Sequence, residues 1–178
     1  MRVAYVVAGL LMSGISMAQT PAPAPAPAPG AVPEVQRSYA GVKENILKSA
    51  NKMPAGDFNY KPVADVRTYA RVVNHITEAQ LRSCGTMNGT PADKLPKVPE
   101  ETADKAAIVT ALKASFAECD KAFASLTPGN LQDLFTLGQG KRSRVGLVWG
   151  TVSHDNEQYA TLALYLRLKG IAPPSTEK

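Results

Sequence analysis

Apolar side chains recur at steps of three and four residues along four segments of this chain, and that spacing constrains the fold more than any other feature. The most regular segment places apolar or small residues at Ile108, Leu112, Ser115, Cys119, Ala122 and Leu126. Because an α-helix completes one turn in roughly 3.6 residues, such a repeat places apolar side chains on one helical face, which has to be buried. No stretch of useful length alternates with the two-residue period of a strand. The sequence therefore predicts an all-α fold, a bundle of about four helices.

Capping and breaking residues give the approximate ends of these helices. Thr68 and Ser143 are good N-cap types, and Gly170 suits a left-handed C-terminal stop. The predicted helices cover residues 34–53, 65 (or 68) to 85, 102–126 and 143–169. The segment 130–143 is less regular, and we expect at most a short helical turn there, broken by Gly138-Gln139-Gly140.

The N-terminus has the pattern of a secretory signal peptide. Arg2 precedes the apolar run Val3–Met12, and Ser16-Met17-Ala18 forms a small-x-small cleavage pattern. The apolar run is too short for a stable bilayer-spanning helix, although an uncleaved N-terminal anchor is the alternative. We therefore expect residues 1–18 to be removed and the protein to be exported, either periplasmic or secreted.

Residues 19–33 alternate proline and alanine, which favours an extended spacer with nothing to bury. The helical bundle is then expected over residues 34–174, followed by a short tail at 175–178. No later segment has the length of apolar residues needed to span a membrane. Removing Arg2 with the leader lowers the net charge from +5 to +4. That mild excess is scattered along the chain, which argues against a nucleic-acid partner.

Two cysteines, Cys84 and Cys119, would remain in an oxidising compartment where disulfides persist. Their even number favours a disulfide over a free thiol, with two separate buried thiols as the alternative. If paired, they would contribute on the order of 3–4 kcal/mol by restricting the unfolded chain.

The chain has two histidines, and both fall inside predicted amphipathic helices. His75 lies in the second helix between Val72 and Ala79. His154 and Gln158 lie one turn apart on a face of the fourth helix that is otherwise mostly apolar. Since facing helices of a bundle are a recurrent place for metal or ligand sites, we expect both histidines to face shared interior space.

Two stretches carry a family resemblance: NYKPVADVRTYARVVNHI around His75 and HDNEQYATLALYLRLKGIAPP from His154 onward. With them, residues 34–174 resemble the DinB-like superfamily, more closely its exported branch. The resemblance implies a four-helix bundle that is often a homodimer, and it implies no DNA binding.

The resemblance also implies a divalent metal, zinc or nickel, held by one histidine of helix 2 and a His-x-x-x-His pair of helix 4. His75 and His154 match two of these ligands. Gln158 occupies the third position, where its neutral amide oxygen is a much weaker ligand than imidazole. Glu157 is the alternative, since its carboxylate would complete a two-histidine, one-carboxylate set.

Two functions follow from this resemblance. One is a metal-dependent transferase or hydrolase that acts on a small substrate between helices 2 and 4; some metal-holding relatives use low-molecular-weight thiols. The other is a non-catalytic bundle, with a degenerate metal site, that binds a small ligand or a partner. The replacement at Gln158 favours the second. The residues assign no catalytic side chain.

Two weaker features remain. The run from Gln139 to Arg144 combines glycine, three cations and a helix start, so an anion could dock there, although a solvated loop is the simpler interpretation. Trp149 and Tyr165 lie at helical steps and are expected to pack in the core.

Overall fold

The computed structural model describes residues 30–177. The predicted signal peptide and most of the predicted spacer lie outside these residues. Within them, the chain forms four long helices and one β-hairpin: α1 (Ala31–Lys52), α2 (Tyr69–Asn88), α3 (Lys105–Ala124), β1 (Leu134–Leu137), β2 (Gly140–Ser143) and α4 (Arg144–Leu168). Short 3₁₀ turns stand at Ala55–Asp57, Ala92–Lys94, Pro128–Asn130 and Pro174–Thr176. The predicted helical bundle is confirmed.

Side-chain caps fix the starts of three helices. Thr68, Asp104 and Ser143 accept hydrogen bonds from backbone N–H groups in the first turns of α2, α3 and α4. These bonds satisfy donors that have no partner within the helix itself. The helix that starts at the Thr68 cap carries His75.

Helix α2 extends three residues beyond the predicted end at Gly85 and stops at Gly89, where φ is 68°. Gly85 is helical for a packing reason, because a Cβ at this position would lie 3.0 Å from the side-chain methyl groups of Leu95. Because Gly85 has no side chain, the following loop can pack closely against α2, and this glycine lies within the helix instead of ending it.

Helix α1 begins at Ala31, earlier than the predicted start at residue 34. Residues 31–33 of the predicted spacer therefore belong to the helix. Pro33 is compatible with this position because backbone N–H groups in a first helical turn have no intrahelical acceptor.

One apolar core joins the four helices, and the predicted stripes supply most of it. Tyr39 stacks on Phe123 with ring centroids 3.9 Å apart. The predicted disulfide is present: Cys84 of α2 and Cys119 of α3 are bonded and fully buried. No helix in the part of the chain that the structure describes is both long and apolar enough to cross a membrane.

Two expectations about side chains and local structure are wrong. Trp149 is 68% exposed instead of packing in the core, although Tyr165 is buried as predicted. Residues 134–143 form an antiparallel hairpin, not a helical turn, with Leu137 paired to Gly140. Gly138 has φ 62° at the first position of the two-residue loop, a backbone conformation that favours a hairpin connection.

Candidate functional site

The two histidines meet between α2 and α4. Nε2 of His75 lies 3.1 Å from Nε2 of His154. Both side chains are about one-quarter exposed, so the pair sits at the edge of the core and not deep inside it. The structure thus brings together the two residues that the sequence placed on the inner faces of separate helices.

The other ring nitrogen of each histidine faces a carboxylate. Nδ1 of His75 is 3.9 Å from Oε2 of Glu78, and Nδ1 of His154 is 3.6 Å from Oδ1 of Asp155. Both distances are slightly longer than a hydrogen bond. A carboxylate beyond Nδ1 is the arrangement that orients imidazoles whose Nε2 atoms bind a ligand.

Burial lowers the pKa of the His75 imidazole, and the nearby positive charges of Arg67, His154 and Arg71 lower it further. The neutral ring, with a lone pair on one nitrogen, is therefore favoured. The Nε2–Nε2 separation suits a single N–H···N hydrogen bond between the rings. It also suits one cation between them, since two nitrogens each about 2.0–2.1 Å from a metal at ordinary bond angles lie roughly 3 Å apart.

The other two predicted ligands lie on α4 beyond His154. Gln158 is buried one turn farther along the helix, whereas Glu157 is exposed. Within residues 30–177, no group of three or more histidine, cysteine, aspartate or glutamate side chains is arranged to hold a metal ion. The four-residue ligand set stays a prediction.

A buried polar chain adjoins the histidine pair and links three helices. The Gln80 amide of α2 donates to Oδ2 of Asp155 in α4 at 2.8 Å, and its carbonyl oxygen accepts from the Ser115 hydroxyl of α3 at 2.7 Å. All three residues are at most 1% exposed. Gln80 therefore fixes the position of the carboxylate that stands beside His154.

The described residues satisfy the Asp155 carboxylate only in part. Its Oδ1 is buried and has no hydrogen-bond partner within the described residues. Burial raises the pKa of this carboxyl, and the neighbouring His154 and Gln80 oppose the increase without cancelling it. A buried acceptor without a donor is costly, and such groups are frequent at functional sites.

Sequence analysis missed Gln80 and Asp155. The signal was present, because Gln80 lies four residues from both Ile76 and Cys84, and Asp155 lies three residues after Val152. Both polar residues thus interrupt apolar stripes at core positions.

A cleft of about 180 Å³ opens next to this polar chain, between α2 and α4. Arg82 and Ser83 line it from α2, His154 and Asp155 from α4, and Leu137 and Arg142 from the hairpin. The hairpin that the sequence did not predict therefore forms one wall of the candidate site. A histidine, a buried aspartate and two arginines thus border one small cleft.

Comparison with known proteins identifies the family. The sequence profile of the DinB superfamily matches residues 17–162, which is most of the chain. The chain belongs to the DinB superfamily. No curated protein sequence matches it significantly.

Solved structures agree on the DinB fold. A DinB-like protein from Bacillus cereus matches with a TM-score of 0.65 at 14% identity, covering 80% of this chain and 95% of its own. A DinB-like protein from Bacillus subtilis gives 0.59 at 15% identity, covering 77% and 92%. A conserved protein from Enterococcus faecalis gives 0.62 at 13% identity, covering 79% and 98%. At these identities the likeness establishes the fold alone.

Proposed function

We propose that this DinB-superfamily protein is a non-catalytic bundle, with a degenerate metal site, that binds a small molecule in the cleft between α2 and α4. The cleft itself carries the proposal, because it places His154 and the unsatisfied carboxylate of Asp155 beside free volume. Its volume of about 180 Å³ is slightly larger than the roughly 150 Å³ cavity that accepts benzene. The ligand is therefore small.

Titration with a library of small fragments, followed by two-dimensional ¹⁵N–¹H NMR, tests this proposal. We expect amide shifts at Ala79, Leu147 and Gly150, which line the cleft. The amides of Val109 and Lys113, on the far side of α3, serve as an internal control. A library that produces no shifts around the cleft would contradict the proposal.

The DinB resemblance implies a divalent metal, and the residues present fit it only in part. His75 and His154 supply two converging imidazole nitrogens. Structural and catalytic zinc sites generally use at least three protein ligands. Gln158 is the remaining interior candidate, and its amide oxygen is a poor substitute for a third imidazole.

The convergence of the two Nε2 atoms favours a second candidate function, a metal-dependent transferase or hydrolase. His75 and His154 would hold the ion, with Gln158 or Glu157 as the third ligand. A bound divalent metal supplies Lewis acidity and lowers the pKa of a coordinated water or thiol. The protein's own contribution would be to orient His154 through Asp155, which Gln80 holds in place.

Zinc and nickel titration of chelator-treated protein separates the two functions. The degenerate-site function predicts weak binding to the natural protein and much tighter binding to a Gln158→His variant, which restores the third imidazole. The enzymatic function predicts stoichiometric, tight binding to the natural protein that a His154→Ala variant abolishes. Asn156→Ala, an exposed change two residues away, is the matched control.

We also propose that the protein is exported. The buried Cys84–Cys119 disulfide supports this proposal, because such bonds persist mainly in oxidising compartments. N-terminal sequencing of the protein recovered outside the cytoplasm tests it; we expect the mature chain to begin at Gln19. Recovery of the protein from the cytoplasm alone would contradict export, and an exported chain that retains Met1 would indicate an uncleaved N-terminal anchor instead.

A further inference from the structure

Two exposed arginines line the α2–α4 cleft from separate elements. Arg82 comes from α2 and Arg142 from β2, and both residues border the same space. Convergence of two cations on one small cleft raises its positive potential and attracts anions. Arginine is also the side chain best suited to carboxylates and phosphates, since its planar fork can donate two parallel hydrogen bonds.

Neither arginine has a carboxylate partner within the described residues. Among residues 30–177, no carboxylate oxygen lies within 4.0 Å of Arg82 or Arg142, whereas Arg71 pairs with Glu78 and Arg144 with Asp133. Asp155 lines the same cleft, but its hydrogen bond goes to Gln80. The two arginines thus keep their donors available to a molecule in the cleft.

The buried end of the cleft contains a hydrogen-bond acceptor instead of donors. Asp155 is fully buried, and its Oδ1 accepts no hydrogen bond within the described residues. This oxygen needs an N–H or O–H donor. One cleft therefore combines donors for an anion with an unsatisfied acceptor.

We propose that the ligand of this cleft is a small molecule with a carboxylate or phosphate group at one end and an N–H or O–H donor at the other. Arg82 and Arg142 bind the anionic group, and Asp155 accepts from the donor. The inference rests on the proposed function, since it names the chemical class of the molecule that the cleft binds. The cleft volume of about 180 Å³ suits a ligand of the size of a small metabolite.

Matched pairs of probes test both halves of the proposal. Phosphoethanolamine carries an anion and an ammonium donor, and ethyl phosphate carries the same anion without the donor. β-Alanine and propionate form the corresponding carboxylate pair. Calorimetric titration of the full mature chain should rank each zwitterion above its partner, with cleft amides shifting by NMR in the same order.

Charge-removing variants test the role of each arginine. Arg82→Gln and Arg142→Gln should each weaken binding of the better zwitterion about ten-fold or more, as expected for the loss of one charge-assisted contact. Lys141→Gln is the matched control, because Lys141 neighbours Arg142 in β2, is exposed and does not line the cleft. Unchanged thermal midpoints would show that the arginine variants stay folded.

Three results would overturn the inference: equal affinity in the Arg82→Gln/Arg142→Gln double variant and the natural protein, no preference for the zwitterion of each pair, or no binding of any anionic probe. If neutral fragments still shift the cleft amides in these cases, the proposed function stands and only the ligand class is wrong. If no fragment of any charge shifts them, the proposed function itself fails.

Discussion

Two buried carboxylates lie on different sides of α2, and they are satisfied very differently. Glu118 of α3 accepts hydrogen bonds from Asn88 and Thr90 and pairs with Lys121 at 3.0 Å. Among residues 30–177, Asp155 of α4 accepts one hydrogen bond, from Gln80, and its Oδ1 has no partner. The first carboxylate closes the contact between α2 and α3, and the second borders an open cleft.

Their pKa values move in opposite directions for this reason. Burial alone would raise the pKa of Glu118, but the bonds from Thr90, Asn88 and Lys121 outweigh it, so the pKa is lowered. At Asp155 burial dominates, and the pKa is raised. The α2–α3 contact is completed for stability, whereas the α2–α4 contact retains an unsatisfied group, as binding sites commonly do.

The variant with the largest expected effect on stability removes the disulfide between α2 and α3. Replacing both cysteines, Cys84→Ser with Cys119→Ser, should lower the free energy of unfolding by about 4 kcal/mol, because the bond closes a long loop in the unfolded chain. The sequence separation is 35 residues. Guanidinium denaturation measures the loss, and binding of zwitterionic probes should remain within about two-fold of the natural protein at temperatures where the variant is folded. A loss below about 1 kcal/mol would mean that the α2–α3 side does not depend on this bond.

On the α2–α3 side, the sequence predicted the third helix and the disulfide. The regular spacing from Ile108 to Leu126 specifies one helical face, and the even cysteine count specifies a bond. The first prediction depends on a single helix, and the second depends on the number of cysteines in the chain. The start of α1 was misplaced by three residues because proline is tolerated in a first helical turn.

The α2–α4 side, which borders the cleft, was predicted only in part, because its geometry depends on how the two helices align. Helical periodicity predicted that His75 and His154 face inward. The 3.1 Å distance between their Nε2 atoms, however, depends on the axial register of α2 against α4. Gln80 finds its partners 35 and 75 residues away, and no local pattern specifies those partners. The hairpin that lines the cleft consists of two four-residue strands, which are too short to show a reliable two-residue period in the sequence.

Gln80 hydrogen-bonds to both α3 and α4, and its replacement should give the next largest loss of stability. Gln80→Met keeps the approximate volume but leaves Asp155 without a donor, which should cost about 2–3 kcal/mol of stability. Ser115→Ala is the milder control, since it keeps the Gln80–Asp155 bond and should cost about 1 kcal/mol. Chemical denaturation measures both. Equal losses in the two variants would show that the bond to Asp155 adds nothing.

Glu118→Gln tests the satisfied carboxylate and should cost about 1–2 kcal/mol at neutral pH, because the amide keeps the shape but loses the charge. Since the folded-state pKa of Glu118 is lowered, its contribution is present above the ordinary value of 4.5 and is lost as the pH falls through the folded value. The stability difference from the natural protein should therefore shrink on acidification. Glu44→Gln, in an exposed pair with Lys48, is the control, with a change below about 0.5 kcal/mol. A difference that stays constant with pH would contradict the assignment.

Asp155→Asn should give the smallest effect at neutral pH, below about 1 kcal/mol, because asparagine retains the shape and an acceptor for Gln80. Its pH dependence should have the opposite sign to that of Glu118. The folded-state pKa of Asp155 is raised, so the contribution of this carboxyl is fully present below the ordinary value of 3.8 and is lost as the pH rises through the folded value. The asparagine variant should thus gain stability relative to the natural protein as the pH rises, by at most about 1.4 kcal/mol per pH unit. Denaturation midpoints measured for both proteins across the acidic range test the sign. If both variants gave slopes of the same sign, the two sides of α2 would not differ in the way that their hydrogen bonds require.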